Sequence, residues 1–242
     1  MKKEKYILLT GGTGFLGSHI LRAFINKKKK VILIKRKKSS LWRISDLNNQ
    51  YKSFDIENIN IKEIFNQFKI DTVVHTACIY GRNNELSSEV VKSNLTFGLE
   101  LLEAAIQSGT NYFFNTDTFL PKNMNFYTIS KKQFVEWLQI YSSQIKVVNF
   151  KLEHMFGPKD GNTKFVTWLI SMFAENINEI NLTKGEQKRD FIYVDDVVNA
   201  YLKIYDLRRK FDNFTEFYVG TGKPIQLKYF VRKLKKIYEI NK

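Results

Sequence analysis

Tyr127 and Lys131 are the first pair of residues in this sequence whose types and spacing could carry chemistry. Because residues 127–141 read as a helix, the two side chains, four positions apart, lie on one helix face. An ammonium beside a phenol lowers the pKa of the phenol, which can then exchange protons near neutral pH. Thr116, at the end of a predicted strand, adds a hydroxyl that could complete a proton-transfer site.

A glycine-rich turn is the second feature with a chemical meaning. Gly11, Gly14 and Gly17 follow a short apolar run at 6–9 and precede a segment with helical apolar spacing. In such a turn the first glycine permits a tight bend, the second lets the backbone approach a pyrophosphate, and the third allows close helix packing. The positive end of the helix dipole then faces the phosphates. The turn therefore predicts a dinucleotide cofactor held by Gly11, Thr13, Gly14, Phe15, Leu16 and Gly17.

The end of the second predicted strand indicates which dinucleotide binds. NAD-binding proteins usually place an acidic residue there to hold the ribose hydroxyls. This strand instead ends in Lys35 and Arg36, and residues 35–40 contain no acid. Both cations lie where a 2′-phosphate would be, and a guanidinium binds phosphate bidentately. We therefore predict NADP(H) rather than NAD(H), with Arg36 as the main contact; the alternative is a solvated basic loop.

Predicted strands and helices alternate through the first part of the chain. The strands lie near 6–9, 31–34, 70–77, 111–116 and 145–150, and the longest helix covers 87–108. Such alternation predicts an α/β fold, a Rossmann-type doubly wound parallel sheet with helices on both faces. We place the dinucleotide-binding domain at residues 1–155. A smaller α+β substrate lobe, shortened at its C-terminal end and interleaved with the first domain, covers 156–242 and includes a short strand near Ile180.

Composition excludes several classes of protein. The chain has 242 residues, a formal charge of +15 and 43% hydrophobic residues, which is a globular composition. No apolar run approaches the roughly 18 residues of a membrane span, and one cysteine, Cys78, favours a reducing cytoplasm. Aromatic residues fall at core spacing, unlike the aromatic and basic pattern of RNA-binding surfaces. We therefore expect a cytoplasmic protein with no nucleic-acid, membrane or metal partner.

Taken in order, these motifs resemble the extended short-chain dehydrogenase/reductases, the nucleotide-sugar epimerase/dehydratase family. The matching pieces are Thr10–Gly17, Val74–Ala77, Asn94, the pair Tyr127 and Lys131, Phe156–Pro158, Arg189–Val197 and Val219–Gly222. The resemblance implies that Asp55 and Ile56 contact adenine and that Thr76 and Ala77 also bind the cofactor. It further implies a homodimer formed through a four-helix bundle of the 87–108 helix and the Tyr127 helix.

A narrower set of segments resembles CDP-abequose synthase and related 4-ketoreductases, which use NADPH to reduce CDP-4-keto-6-deoxyhexoses. These segments are Tyr80–Arg82, Asn115–Phe119, Leu152–Gly161, Lys164 with Phe165, and Thr183–Phe191. This resemblance implies that Tyr127 is the proton donor, that Lys131 tunes it and holds the nicotinamide ribose, and that Thr116 binds the carbonyl oxygen. The implied substrate contacts are Arg82, Asp117, Thr118, His154, Lys164 and, at the phosphates, Arg189.

Other chemistries of this family remain as alternatives. A 4,6-dehydratase uses an Asp-Glu pair after the threonine, but here Asp117 is followed by Thr118. An NAD-dependent epimerase regenerates its own cofactor, whereas the basic strand end favours NADPH drawn from the cell. We therefore predict reduction of a nucleotide-linked 4-keto-6-deoxy sugar, with CDP as the favoured nucleotide. An alternative of another class is a non-catalytic or truncated relative that binds a nucleotide or RNA, since family members usually continue beyond this chain's end.

Overall fold

The computed structural model describes residues 4–177 and 179–240 of the chain. Strands β1 to β11 are, in order, Lys5–Thr10, Lys30–Lys35, Lys52–Asp55, Lys69–His75, Tyr112–Thr118, Lys146–Leu152, His154–Phe156, Lys188–Arg189, Phe191–Tyr193, Phe214–Val219 and Ile225–Gln226. Seven of them form one sheet in the order β10-β6-β5-β4-β1-β2-β3, and all its neighbouring strands are parallel. The parallel sheet confirms the predicted fold class.

Helices cover both faces of this sheet. Helices α1 to α8 are, in order, Phe15–Asn26, Ile61–Gln67, Ser87–Val91, Phe97–Gln107, Phe126–Tyr141, Phe165–Ala174, Val194–Leu207 and Leu227–Ile240. Helices α1 and α7 bury their apolar sides in one core, and α2, α4 and α5 bury theirs in the other. Successive strand residues alternate between the cores, so Phe114 belongs to the first and Phe113 to the second. No helix among the described residues is long and apolar enough to cross a membrane.

Several elements differ from the sequence-based expectation, which also lacked helix α2. Strand β3 was not predicted, because the edge sequence of residues 52–55 is half-exposed and lacks an apolar run. The strand expected near Ile180 is wrong, since the described residues between α6 and β8 form no regular element. Residues 154–226 instead contain two short strand pairs, the parallel β7 and β9 and the antiparallel β8 and β11.

The long predicted helix at 87–108 contains a π-helical turn, Lys92–Thr96, between α3 and α4. Asn94 lies in this turn and is completely buried. Its side chain accepts a hydrogen bond from the Ile79 backbone at 2.8 Å and donates to the Ile79 carbonyl at 2.9 Å and to Ser130 Oγ at 3.1 Å. The turn thereby ties the loop after β4 to helix α5, the two segments that flank the candidate site.

The order of the strands places the site. Strand β1 has β2 on one side and β4 on the other, so successive strands are added on one side of β1 up to β3 and on its other side from β4 onward. Ligands of doubly wound folds bind beyond the carboxyl ends of the strands at this point.

Candidate functional site

A cavity of about 1290 Å³ lies at the carboxyl ends of β1, β2, β4, β5 and β6. Its lining includes the glycine turn, the first turns of α5 and the start of α6. The cavity therefore joins the predicted cofactor motif and the predicted proton-transfer pair in one space. Within the described residues, no group of three or more histidine, cysteine or acidic side chains could hold a metal ion.

The glycine turn leaves room for a ligand because its backbone packs without side chains. Gly11 has a φ of 71°, and a Cβ there would lie 2.6 Å from the Ala77 nitrogen. A Cβ on Gly17 would lie only 2.2 Å from the Gly11 carbonyl oxygen. Gly14 caps α1, and its N–H donates to the Gly11 carbonyl at 2.9 Å. Since the free N–H groups at the start of α1 also favour an anion, the turn fits the phosphates of a dinucleotide.

The residues after β4 form the other wall beside this turn. The Thr76 hydroxyl donates to the Thr10 carbonyl at 2.7 Å, and the Ala77 N–H donates to Thr10 Oγ1 at 3.4 Å. Thr76, Ala77 and Ile56 all line the cavity. The structure thus brings these predicted cofactor residues to the same opening as the glycine turn.

The two basic residues at the end of β2 have different environments. Lys35 lies opposite Asp55 in the register of β2 and β3, and the two side chains form an ion pair. The charge of Lys35 is therefore balanced within the protein, and the Asp55 carboxylate is already engaged. Arg36 is exposed and lines the cavity together with Ser39, whose Oγ accepts a hydrogen bond from the Arg36 backbone at 3.2 Å. Both cations line the cavity, but only the charge of Lys35 is balanced by an ion pair among the described residues.

Helix α5 starts at a position fixed by a reciprocal cap. Asn125 Oδ1 accepts from the Thr128 backbone at 2.9 Å, and Thr128 Oγ1 accepts from the Asn125 backbone at 3.1 Å. The cap sets the first two turns of the helix, so Tyr127 and Lys131 both line the cavity. Lys131 is only 2% exposed, which is unusual for a lysine and marks it as a candidate functional group.

Burial determines the titration of this pair. The pKa of Tyr127 is raised well above its ordinary value, first by burial and then by neighbouring groups such as Cys78 and Tyr80, while Thr118 acts in the opposite direction. Burial therefore outweighs any lowering of the phenol pKa by the Lys131 ammonium, and the effect of Lys131 on Tyr127 stays a prediction. Burial also lowers the pKa of Lys131. A phenol with a raised pKa is protonated at neutral pH and is suited to donate a proton.

The end of β5 contributes Thr116, Asp117 and Thr118 to the cavity lining. Thr116 lines the cavity, and its hydroxyl lies 2.7 Å from the hydroxyl of Tyr201 on α7. Thr118, which the sequence suggested as a substrate contact, lies beside the Tyr127 phenol and accepts from the Leu120 backbone at 3.2 Å. Tyr201 was missed by sequence reasoning, because no local motif links it to a strand 85 positions earlier.

Asp117, also suggested as a substrate contact, is engaged by a lysine. Its carboxylate is buried and lies 2.7 Å from the ammonium of Lys132, which also donates to the Thr118 carbonyl. Lys132 follows Lys131 on α5 but, unlike Lys131, is not among the residues that line the cavity. Sequence reasoning missed this residue too, although its position beside Lys131 was a visible signal.

The predicted substrate contacts do not all line one cavity. The large cavity is lined by Arg82, Asp117, Thr118, His154 and Lys164, whereas Arg189 lines an adjoining one of about 470 Å³. Burial, followed by the charge of Arg189, lowers the pKa of His154, so this imidazole is neutral at neutral pH. Glu153 lines both cavities and connects them.

Tyr80 is a further cavity residue at the substrate end. Its ring centroid lies 4.8 Å from that of Tyr127. The Lys164 ammonium lies 4.1 Å from the Tyr80 ring centroid, and the Arg82 guanidinium lies 5.3 Å from it. Cations attracted to this ring gather positive charge next to the predicted proton donor.

Comparison with known proteins assigns this arrangement to a family. Residues 7–220 match the NAD dependent epimerase/dehydratase family. CDP-abequose synthase from Salmonella typhimurium is 34% identical over 94% of this chain and 79% of its own length, and that from Salmonella muenchen is 37% identical over 96% and 80%. In fold, the chain is similar to UDP-glucose 4-epimerase from Thermotoga maritima, with a TM-score of 0.83 and 24% identity over 98% of this chain and 84% of that one.

Proposed function

The chain belongs to the NAD dependent epimerase/dehydratase family, and we propose that it is an NADPH-dependent reductase within it. It is an oxidoreductase of a nicotinamide-dependent family that modifies nucleotide sugars. The proposed substrate is a nucleotide-linked 4-keto-6-deoxy sugar, with CDP favoured because of the similarity to the CDP-abequose synthases. One observation carries the proposal: a protonated phenol, Tyr127, and a buried ammonium, Lys131, line the cavity that the glycine turn opens into.

The residues have distinct roles in this reaction. When bound, the reduced nicotinamide supplies the hydride that the carbonyl carbon accepts. Tyr127 donates its phenolic proton to the carbonyl oxygen, which becomes the hydroxyl of the product. Lys131 stabilises the phenolate until Tyr127 regains a proton from solvent. Thr116 donates a hydrogen bond to the same carbonyl oxygen as negative charge develops there.

The state of Asp117 favours reduction over dehydration. A dehydratase needs a carboxyl group free to exchange protons with the sugar and a second carboxylate as base. Asp117 is buried and paired with Lys132, and the next residue, Thr118, has no carboxylate. Asp117 is therefore not the proton donor in the proposed reaction, and Tyr127 takes that role.

The preference for NADPH rests on Arg36. Its guanidinium is exposed at the cavity and can bind a 2′-phosphate bidentately, with Ser39 beside it. Lys35, the second cation predicted to lie near this phosphate, is compensated by Asp55 and contributes less net charge. An exchangeable NADPH suits a net reductase, whereas an epimerase retains NAD⁺ between turnovers.

The test is a set of single-turnover and steady-state assays with purified protein. The 4-keto-6-deoxy sugars linked to CDP, dTDP, GDP and UDP are each mixed with NADPH or NADH, and cofactor oxidation is followed by absorbance. We expect NADPH oxidation with the CDP sugar and slower oxidation with NADH. No oxidation with any of these ketones would refute the proposal, and interconversion of nucleotide hexoses without added cofactor would favour an epimerase.

We also propose that the protein forms a homodimer through the helices of residues 87–107 and α5. Trp137 and Ile140 on α5 are 42% and 68% exposed, so this helix presents an apolar outer face. Light scattering after gel filtration should give twice the chain mass of 28.5 kDa. A monomer at micromolar concentration would contradict this proposal without affecting the proposed reaction.

A further inference from the structure

We propose that Tyr201 is a positioning residue that holds the Thr116 hydroxyl in the orientation needed to bind the substrate's carbonyl oxygen. The inference rests on the proposed function, because it assigns Tyr201 a part in the same site. Tyr201 belongs to α7, a helix on the far side of the sheet from Tyr127 and α5. It does not touch the cavity itself, since it is completely buried and absent from the lining.

The spacing of side chains along helix α7 matches the spacing along strand β5, which allows Tyr201 to meet Thr116. Residues four apart on a helix are about 6 Å apart along its axis, and residues two apart on a strand are about 6.6 Å apart. Tyr201 and Tyr205 on α7 therefore face Thr116 and Phe114 on β5. The Tyr205 ring lies 6.4 Å from that of Phe114, and the Tyr201 hydroxyl lies 2.7 Å from Thr116 Oγ1.

The ring of Tyr201 is held independently of its hydroxyl. It stacks on Phe150 of β6 with the centroids 3.8 Å apart and the planes 10° apart. The ring also lies in the core that α1 and α7 form with the sheet. The hydroxyl is thus presented to Thr116 by a side chain that packing fixes in place, and its removal would leave that packing intact.

The acidity of the two groups decides which of them donates. A phenol is a better hydrogen-bond donor and a poorer acceptor than an alkyl hydroxyl, because its oxygen lone pair is delocalised into the ring. Burial also raises the pKa of Tyr201 above its ordinary value, so the phenol keeps its proton at neutral pH. Tyr201 therefore donates to Thr116 Oγ1, and the Thr116 proton is left to point elsewhere.

This direction has a consequence for Thr116. A threonine side chain has a few staggered rotamers, and a hydrogen bond to its oxygen selects one of them. With its oxygen accepting from Tyr201, Thr116 can donate its proton to a carbonyl oxygen in the cavity. Such a donor, oriented in advance, stabilises the charge that develops on that oxygen.

The first test compares Tyr201→Phe with Tyr205→Phe. Both changes delete one buried phenolic oxygen from α7, but only the first removes the contact with Thr116. We expect Tyr201→Phe to lower kcat for ketone reduction about tenfold with KM nearly unchanged, as for loss of one oriented hydrogen bond. Tyr205→Phe should keep the wild-type kcat. Equal rates for wild type and Tyr201→Phe would overturn the proposal.

The second test asks whether Tyr201 acts through Thr116. In a Thr116→Val background we expect Tyr201→Phe to have no further effect on kcat, because the partner hydroxyl is gone. A tenfold loss in that background as well would assign Tyr201 a purely structural role and overturn the proposal.

A third readout needs no turnover. Three-bond couplings of a selectively labelled Thr116, measured by NMR, should report one rotamer in the wild type and averaging in Tyr201→Phe. If the wild type reduces no ketone but the couplings change in this way, the proposed function fails and the positioning of Thr116 stands. Unchanged couplings in Tyr201→Phe would refute the positioning even in an active reductase.

Discussion

The proposed cofactor end of the cavity, at the glycine turn, and the proposed substrate end, at the end of β5, are built by different means. At the cofactor end, Gly11 and Gly17 shape a turn from backbone atoms that are six positions apart. At the substrate end, side chains from distant parts of the chain meet and neutralise or orient one another, as Lys132 does with Asp117. The comparison teaches that the cofactor end depends on the space that glycines leave open, whereas the substrate end depends on the partners its side chains have.

Tyr127→Phe tests the point where the two ends meet and should have the largest effect. Removing the phenolic proton should lower kcat by roughly 10²- to 10⁴-fold, the usual contribution of a general acid. NADPH binding, followed by nucleotide fluorescence, should change little because the glycine turn is intact. Turnover within tenfold of the wild type would show that another group donates the proton.

Lys132→Met tests the substrate end. It leaves the Asp117 carboxylate buried without its partner, which should lower the free energy of unfolding by about 3 kcal/mol. The matched control is Lys122→Met, which breaks an exposed pair with Glu136 and should cost less than about 1 kcal/mol. Urea denaturation of both variants measures the difference, and equal losses would mean that burial of Asp117 does not matter.

Gly17→Ala tests the cofactor end. The added methyl would lie 2.2 Å from the Gly11 carbonyl oxygen, so the turn must shift. We expect a loss of about 2 kcal/mol in stability together with weaker NADPH binding. Gly161→Ala serves as control, since the nearest atom to its Cβ is 3.9 Å away. A Gly17→Ala variant that binds NADPH normally would contradict the importance of this backbone contact.

Arg36→Ala should separate the two cofactors. Loss of the guanidinium should weaken NADPH binding about tenfold and leave NADH binding unchanged, because only NADPH carries the 2′-phosphate. Lys37→Ala is the matched control, as Lys37 is an exposed neighbour outside the cavity lining. Isothermal titration calorimetry of each of the two variants with NADPH and with NADH measures these affinities. Parallel losses for both cofactors would argue against phosphate recognition by Arg36.

The smallest of the expected effects is the change of kcat with pH around neutrality. Tyr127, with its raised pKa, remains a proton donor there, so kcat should be flat. Lys131 must be cationic to stabilise the phenolate, and burial places its pKa below 10.5. The value of kcat should therefore be highest below the pKa of Lys131 and fall as the pH rises through that pKa. A rate that falls on the acidic side of neutrality instead would contradict these roles.

Features that depend on a few neighbouring residues were predictable. The turn at Gly11 to Gly17 and the helix-face pair Tyr127 and Lys131 follow from spacing alone, since local geometry sets where such residues point. The parallel sheet follows from the alternation of strands and helices. The edge strand β3 was missed because its sequence lacks the apolar run by which the central strands are recognised.

The sequence by itself determined the fold class and located the glycine turn and the pair Tyr127 and Lys131, because each depends on residues close together along the chain. The roles of the turn and of the pair stay predictions. Only the tertiary structure decided that Lys35 is paired with Asp55, that Asp117 faces Lys132 and that Thr116 meets Tyr201. It also decided the direction of the Tyr127 pKa, because burial depends on every element around the cavity. Charge balance, hydrogen-bond partners and desolvation arise from contacts between distant segments, which the order of residues does not reveal.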